Sequence, residues 1–317
     1  MPRQHETAPS PSKDKVEPKQ CKSAKIAEMS SVDLPCTILP TAMAEINHKQ
    51  GSLISPLFVR GKLFLQQLWE DNVGWDDVIK REKAREVGEL LYELKAVSNI
   101  TFPREVGKKN LELHVFTDAS SIACGAVAYI RDNCNQVKLL TSKMRITPKG
   151  MNKLTIPKLE LLALLLGCRL AKTLKGLIEP RETVMRTDSK VTLAWVASPD
   201  VKDNKNVFIC NRVAEIIFLR QVCDFSLVYV PSKQNLADVL SRGATTQQLL
   251  QNSLWQKGPE FLTTGEPVPY KEDDPTSVRT VVAAVQELRE EIRPVPPKRD
   301  MGTSTEGSRV PILIESY

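Results

Sequence analysis

Four acidic residues stand where the chain passes between regular segments: Asp118 in FTDAS, Glu160 in IPKLELLAL, Asp188 in RTDSK and Asp238 in NLADVLSRG. Taken singly, each has an ordinary structural use. An Asp at a strand end is commonly a turn or cap residue. An acid early in a helix meets the positive end of the helix dipole, and Asn235 with Asp238 resembles a capping pair. Taken together they suggest chemistry. Several carboxylates converging on one cleft repel one another, and a divalent cation relieves that repulsion. All-oxygen ligands select Mg²⁺, with Mn²⁺ as the alternative, over zinc. Two such ions, about 3.5–4 Å apart, can clamp the attacking and leaving oxygens of a phosphodiester. One would lower the pKa of a bound water and the other would stabilise the departing 3′ oxygen, so no His or Cys nucleophile is required.

For these carboxylates to meet, the elements that carry them must converge. LELHVFT (111–117), CGAVAYI (124–130) and QVKLLTSK (136–143) alternate or run apolar with Ser, Asp and Asn between them, which predicts a meander of three strands. A helix follows from about Pro157 to Lys175, with Pro157 in its first turn and Gly176 as its stop. ETVMRT (182–187) is a fourth strand, Ser189 caps a short helix containing Val191, Ala194 and Trp195, and a further helix covers about Val207 to Gln221. FSLVYV (225–230) is the fifth strand, and Asn235 caps a last helix that includes Leu236 to Leu240. The order β-β-β-α-β-α-α-β-α implies an α/β fold, a mixed five-stranded sheet with helices on its faces. If strands one and four are neighbours, Asp118 and Asp188 end side by side. The first turns of two helices then aim Glu160 and Asp238 at the same point. Ala163 and Gly167 share the helix face of Glu160 and permit close packing on the sheet, and Ser120 and Gly125 flank the first turn.

The surroundings are consistent with a polyanion partner but do not require one. The 317 residues carry a net charge of +6, with 41% apolar, 26% charged and only 5% aromatic residues. Base stacking on an aromatic platform is therefore not expected, and Trp195 reads as core. Lys143, Arg145, Lys149, Lys153 and Lys158 form a basic run ahead of the long helix that could hold a phosphate backbone. Lys143, Arg145 and Lys158, with Ser120 and Ser189, are the candidate substrate contacts. Seven Cys without a CxxC spacing and three His argue against a disulfide framework and a structural zinc site, and for a reducing compartment, cytoplasmic or nuclear. The longest apolar stretch, Leu161 to Leu166, is too short to span a bilayer, so no membrane partner is expected. Residues 1–49, rich in Lys, Pro, Ser and Glu, read as a disordered leader. Residues 50–105 read as helical, with helices from Pro56 to Trp69 and from about Arg81 to Val97. Beyond Gly243 a helical stretch contains Leu249, Leu250 and Leu254. An amphipathic helix over about Thr280 to Ile292 and an extended PVPP linker (294–297) follow.

VFTDASSIACGAVAY, TIPKLELLALLLGCRLA, MRTDSKVTLAWV and VPSKQNLADVLSRG resemble the ribonuclease H segment of retroelement polyproteins, in particular the BEL/Pao class of LTR retrotransposons. SLISPLFVRGKLFLQQLWEDNVGWDD (52–77) is similar to the connection between reverse transcriptase and ribonuclease H, and LWQKGPEFL (254–262) to the tail after that domain. The resemblance implies a helical connection over 50–105, a ribonuclease H-like domain over 106–245 and a tail over 246–317. It also implies Mg²⁺-dependent endonucleolytic cleavage of the RNA strand of an RNA–DNA hybrid. The ligands of two metal ions would fall on Asp118, Glu160, Asp188 and Asp238, and other products of a retroelement polyprotein would be natural partners. Departures exist. Asn235-Leu236-Ala237-Asp238 replaces the usual Asn-Pro-Ala-Asp, and no His follows His114. No Tyr-x-Asp-Asp polymerase signature and no Asp-Thr-Gly or Asp-Ser-Gly protease signature occurs. RVPILIESY (309–317) resembles the start of a linker to an integrase module, so the chain reads as an excised or degenerate fragment with an unrelated leader. A catalytically silent remnant that binds nucleic acid or serves as a scaffold is the competing reading.

Overall fold

The computed structural model describes residues 34–74, 77–97, 110–148, 154–198 and 206–265. Two strands are buried almost throughout and therefore lie inside a sheet: β3 (Glu112–Ala119) and β4 (Ala123–Arg131). β5 (Val137–Ile146) pairs antiparallel outside β4, and β6 (Glu182–Thr187) and β7 (Ser226–Tyr229) continue parallel on the other side. The sheet order is β5-β4-β3-β6-β7, a mixed five-stranded sheet as expected. A separate pair joins β1 (Leu34–Pro35) to β2 (Val78–Ile79).

Alternation along the strands divides the core in two. Leu113, Val115, Ala126, Ala128 and Met185 face α4 (Ile156–Ile178), α5 (Lys190–Ala197) and α6 (Val207–Cys223). Phe116, Val127 and Tyr129 face the other way. There they join α1 (Ile38–Gln50), α2 (Ser55–Glu70) and α3 (Arg81–Val97) with the last helices, α7 (Ala237–Arg242), α8 (Thr246–Gln251), α9 (Ser253–Lys257) and α10 (Glu260–Thr264). The helices before the sheet and those after it thus share one core on one sheet face. Buried polar bonds hold them there: Tyr129 Oη donates to the Trp255 carbonyl at 2.7 Å, and Trp255 Nε1 donates to the Leu53 carbonyl at 2.9 Å.

Several expectations need correction. The irregular leader expected over 1–49 gives way at Leu34: α1 buries Leu39 and Met43, one helical turn apart, inside the core. Residues 1–33 lie outside the described residues, as do Lys149, Lys153, the helix expected over 280–292 and the linker over 294–297. Gly176 does not stop the long helix. α4 continues to Ile178 and ends at Glu179, which takes the left-handed conformation (φ 45°) just before Pro180. A Gly in a helix costs only about 1 kcal/mol, whereas Pro180 disfavours helical backbone at the residue before it. The helical stretch beyond Gly243 is three short helices, α8 to α10, rather than one. Among the described residues no helix is long and apolar enough to cross a membrane.

Candidate active site

The parallel ladder pairs Thr117 of β3 with Thr187 of β6, so Asp118 and Asp188 follow level with each other at the ends of adjacent strands. Asp118 lies one residue inside β3 and is buried, 8% exposed. Glu160 reaches the same end of the sheet from α4. It sits in the second helical turn, not the first as expected, because Thr155 takes the N-cap and Ile156 opens the helix. The close approach of α4 depends on Gly167, where a Cβ would stand 2.4 Å from Thr117 Cγ2 and 2.9 Å from Met185 Cε. Asp238 stands in the first turn of α7. That helix also packs closely, since a Cβ on Gly125 would stand 2.5 Å from Leu240 Cδ2.

Each acid has a protein donor. Ser241 Oγ donates to Asp118 Oδ2, and Ser189 Oγ donates to Glu160 Oε2. Asn235 Nδ2 donates to Asp188 Oδ1 at 3.0 Å, and Arg242 Nε donates to Asp238 Oδ1 at 2.5 Å. The acids also feel one another. Burial, with the charges of Asp188 and Asp238, pushes the Asp118 carboxyl up to about 7, against the bond from Ser241. Burial raises Glu160 as well, and Asp188 adds to that rise. The bond and charge of Asp238 raise the Arg242 guanidinium, with smaller contributions from Asp118 and Asp188. Four carboxylates from four separate segments therefore form one electrostatic group, with Arg242 as the cation bonded to it.

The donor set is all oxygen and carries excess negative charge, which fits a hard divalent cation. The side chains as they stand are turned to their protein partners. Among the described residues no three His, Cys, Asp or Glu side chains are gathered so as to hold one metal ion.

The expected substrate contacts divide. Ser189 is the N-cap of α5, accepting from the Thr192 amide at 3.2 Å while it donates to Glu160. Ser120 donates to the Ser241 carbonyl at 2.7 Å and so ties the β3–β4 turn to α7. Both are committed within the protein. Lys143 and Arg145 are exposed on the edge strand β5, opposite Ala126 and Cys124. Lys158 Nζ lies 5.8 Å from the centre of the Phe208 ring, on α6. Sequence reasoning saw Asn235 only as a cap and missed Ser241 and Arg242. Their spacing from Asp238, three and four residues along a helix, was the available signal.

A family model described as a Pao retrotransposon-like RNaseH-like domain matches residues 41–189. The Pao retrotransposon-like match begins within α1 and ends just after Asp188. It therefore contains Asp118, Glu160 and Asp188 but not Asp238. No curated protein matches the chain. Solved structures similar to it include the N-terminal RNase H domain of Rv2228c from Mycobacterium tuberculosis, fused to maltose-binding protein. That likeness has 15% identity over 41% of this chain and 94% of that chain, with a TM-score of 0.30. LC11-RNase H1 in complex with an RNA/DNA hybrid shows 16% identity over 39% of this chain and 88% of that one, with a TM-score of 0.29. A foamy viral protease–reverse transcriptase dRH in complex with dsDNA shows 11% identity over 66% of this chain, with a TM-score of 0.42; the match spans 35% of the viral chain. The fold is ribonuclease H-like.

Proposed function

We propose that this chain is a nuclease of the ribonuclease H type, hydrolysing the RNA strand of an RNA–DNA hybrid with two divalent cations, Mg²⁺ or Mn²⁺, held by Asp118, Glu160, Asp188 and Asp238. One observation carries the reading. Asp118 and Asp188, seventy residues apart, stand level at the ends of the adjacent strands β3 and β6, and the charge of Asp188 adds to the rise of both Asp118 and Glu160. A fold gains nothing from such mutual repulsion unless a cation relieves it. When bound, the cations would supply an activated water, a neutralised phosphate and a stabilised leaving oxygen.

The chain's own residues have distinct parts in this scheme. Ser189 and Asn235 each hold one oxygen of an acid and leave Glu160 Oε1 and Asp188 Oδ2 available to a ligand. Ser241 fixes Asp118 from α7. Arg242 shields Asp238 until a cation competes for it. Lys143, Arg145 and Lys158 would take backbone phosphates, with Ser120 and Ser189 lining the cleft. Shape and 2′-hydroxyl contacts would distinguish the RNA strand.

A second reading has one observation in its favour: every acid already has a protein donor, and Asp238 is ion-paired to Arg242. On that reading the domain is catalytically silent and binds nucleic acid or other retroelement products. Incubating the full chain with a labelled hybrid and Mg²⁺ separates the two. The proposal expects RNA-strand cleavage that leaves 5′-phosphate and 3′-hydroxyl ends, stops with a chelator and is lost in Asp188→Asn. Binding without cleavage would leave the silent reading standing.

A further inference from the structure

Asn235 is 4% exposed and makes more connections within the site than any cap requires. Its Nδ2 donates at 3.0 Å to the Thr117 carbonyl, one residue before Asp118, and at 3.0 Å to Asp188 Oδ1. Its Oδ1 accepts from the Ala237 amide at 3.2 Å, and its backbone carbonyl accepts from the Asp238 amide at 3.2 Å. One residue thus joins the strand carrying Asp118, the carboxylate of Asp188 and the helix start carrying Asp238. The amide orientation is fixed by these partners. Turned over, its oxygen would face a carbonyl and a carboxylate, and its NH₂ would face an N–H. No other short side chain offers two donors and one acceptor together. Asp lacks the donors, and Ser lacks the reach. A helix cap alone needs only the bond to Ala237.

We propose that Asn235 is a positioning residue: it acts through Asp188, setting the angle of that carboxylate against Asp118 and Asp238 for cation binding. This rests on the nuclease reading above. Outer partners of metal-binding carboxylates orient them, and their loss commonly costs about 10–100-fold in metal affinity or activity. Asn235→Ser is the discriminating change. Its hydroxyl can still accept from the Ala237 amide, as Ser does in local turns, but cannot reach Asp188.

The test is a Mg²⁺ titration of the full chain without nucleic acid, followed by calorimetry, beside steady-state hybrid cleavage. Asn235→Ser is expected to weaken Mg²⁺ binding by about 10-fold or more, to lower kcat and to leave the KM for hybrid unchanged. An unchanged Mg²⁺ affinity in the folded variant overturns the proposal. If that variant does not fold, Asn235→Asp keeps the shape and the Ala237 bond but replaces both donated bonds with repulsion. At saturating Mg²⁺ its kcat is expected to fall by about 10-fold or more with KM unchanged, and an unaltered kcat overturns the proposal. If the parent chain binds no Mg²⁺ and cleaves nothing, the nuclease reading and this inference fall together. If the parent does both and the variants match it, only the inference falls.

Discussion

Two buried carboxylates lie on the same face of β3, six residues apart, and their surroundings are opposite. Glu112, 3% exposed, stands among cations and donors: His114 Nε2 at 3.1 Å, Arg131 Nε at 2.6 Å and Arg181 Nη2. The His114 bond, then the Arg181 bond and the Arg131 charge, hold its carboxyl down at about 2 despite burial. Asp118 is pushed up to about 7 by burial, with the charges of Asp188 and Asp238 adding to the rise. Both side chains are buried, but at Glu112 the donors and cations outweigh burial, whereas at Asp118 burial dominates and the neighbouring acids add to it. A paired carboxylate is a structural part, and the other partners of this one continue the same network. Arg186 Nη2 lies 3.5 Å from His114 Nδ1 and stacks on Phe261 of α10 at 4.9 Å. A carboxylate buried against other carboxylates is poised for a ligand.

The largest effect on stability is expected at the paired end. Glu112→Ala would leave the buried His114 and the partly buried Arg131 without their acceptor, and breaking a buried pair typically costs about 3–5 kcal/mol. Because Arg181 is half exposed and can regain water, a loss of about 3 kcal/mol in denaturant unfolding is expected. A loss below about 1 kcal/mol, the range of a surface ion pair, would show that Glu112 is not the anchor described.

The two ends should also give opposite pH limbs. Glu112 is depressed in the folded state, so its contribution is present above its unfolded pKa near 4.5 and is lost as pH falls towards 2. Asp118 is raised, so the folded state binds its proton more tightly. Its penalty is absent below about 3.8 and grows as pH rises to about 7. In chelator, Asp118→Asn should raise the melting temperature at pH 8 and leave it unchanged near pH 3. Glu112→Gln should lower it at pH 7 and much less near pH 2. Mg²⁺ should reduce the high-pH penalty of the parent. Parallel pH profiles for all three proteins would contradict the contrast.

Smaller effects separate the middle of α4 from its C-terminal end. Gly167→Ala, beneath Thr117, should cost about 1–3 kcal/mol by overpacking. Gly176→Ala, where nothing lies within 4 Å of the added Cβ, should stabilise by about 0.5–1 kcal/mol. Chemical denaturation of both variants checks the pair. The smallest effects concern substrate. Lys143→Ala or Arg145→Ala should raise the hybrid KM a few-fold and reduce the salt slope by about 1. Arg181→Ala, at the Glu112 end, should change neither in the folded protein.

The same contrast shows how far the sequence could be read. Strand order, and the level placement of Asp118 and Asp188 at the ends of neighbouring strands, followed from alternation and from where each acid stood relative to its element. β6 and α3 occupy the ranges read for them, Glu182–Thr187 and Arg81–Val97. The role of Glu112 was not legible. LELHVFT shows a period of two, but the period does not reveal that the face carrying Glu112 and His114 is closed by Arg131, Arg181 and a helix more than a hundred residues later. For the same reason the donors to the acids were missed, since Ser241 and Asn235 look like ordinary helix residues until α7 is packed against β3. The start of the fold was hidden as well, because α1 buries only a few apolar residues in a polar stretch.

The most direct test compares RNA-strand cleavage of a hybrid per folded molecule in the parent, Asp118→Asn and Glu112→Gln, with Mg²⁺ present. The account expects the parent to cleave and Glu112→Gln to cleave at the parental rate although it is less stable. Asp118→Asn should lose activity by more than the roughly 100-fold typical of an outer-shell change although it is at least as stable. Cleavage by Asp118→Asn at the parental rate, or none by the parent, would contradict it.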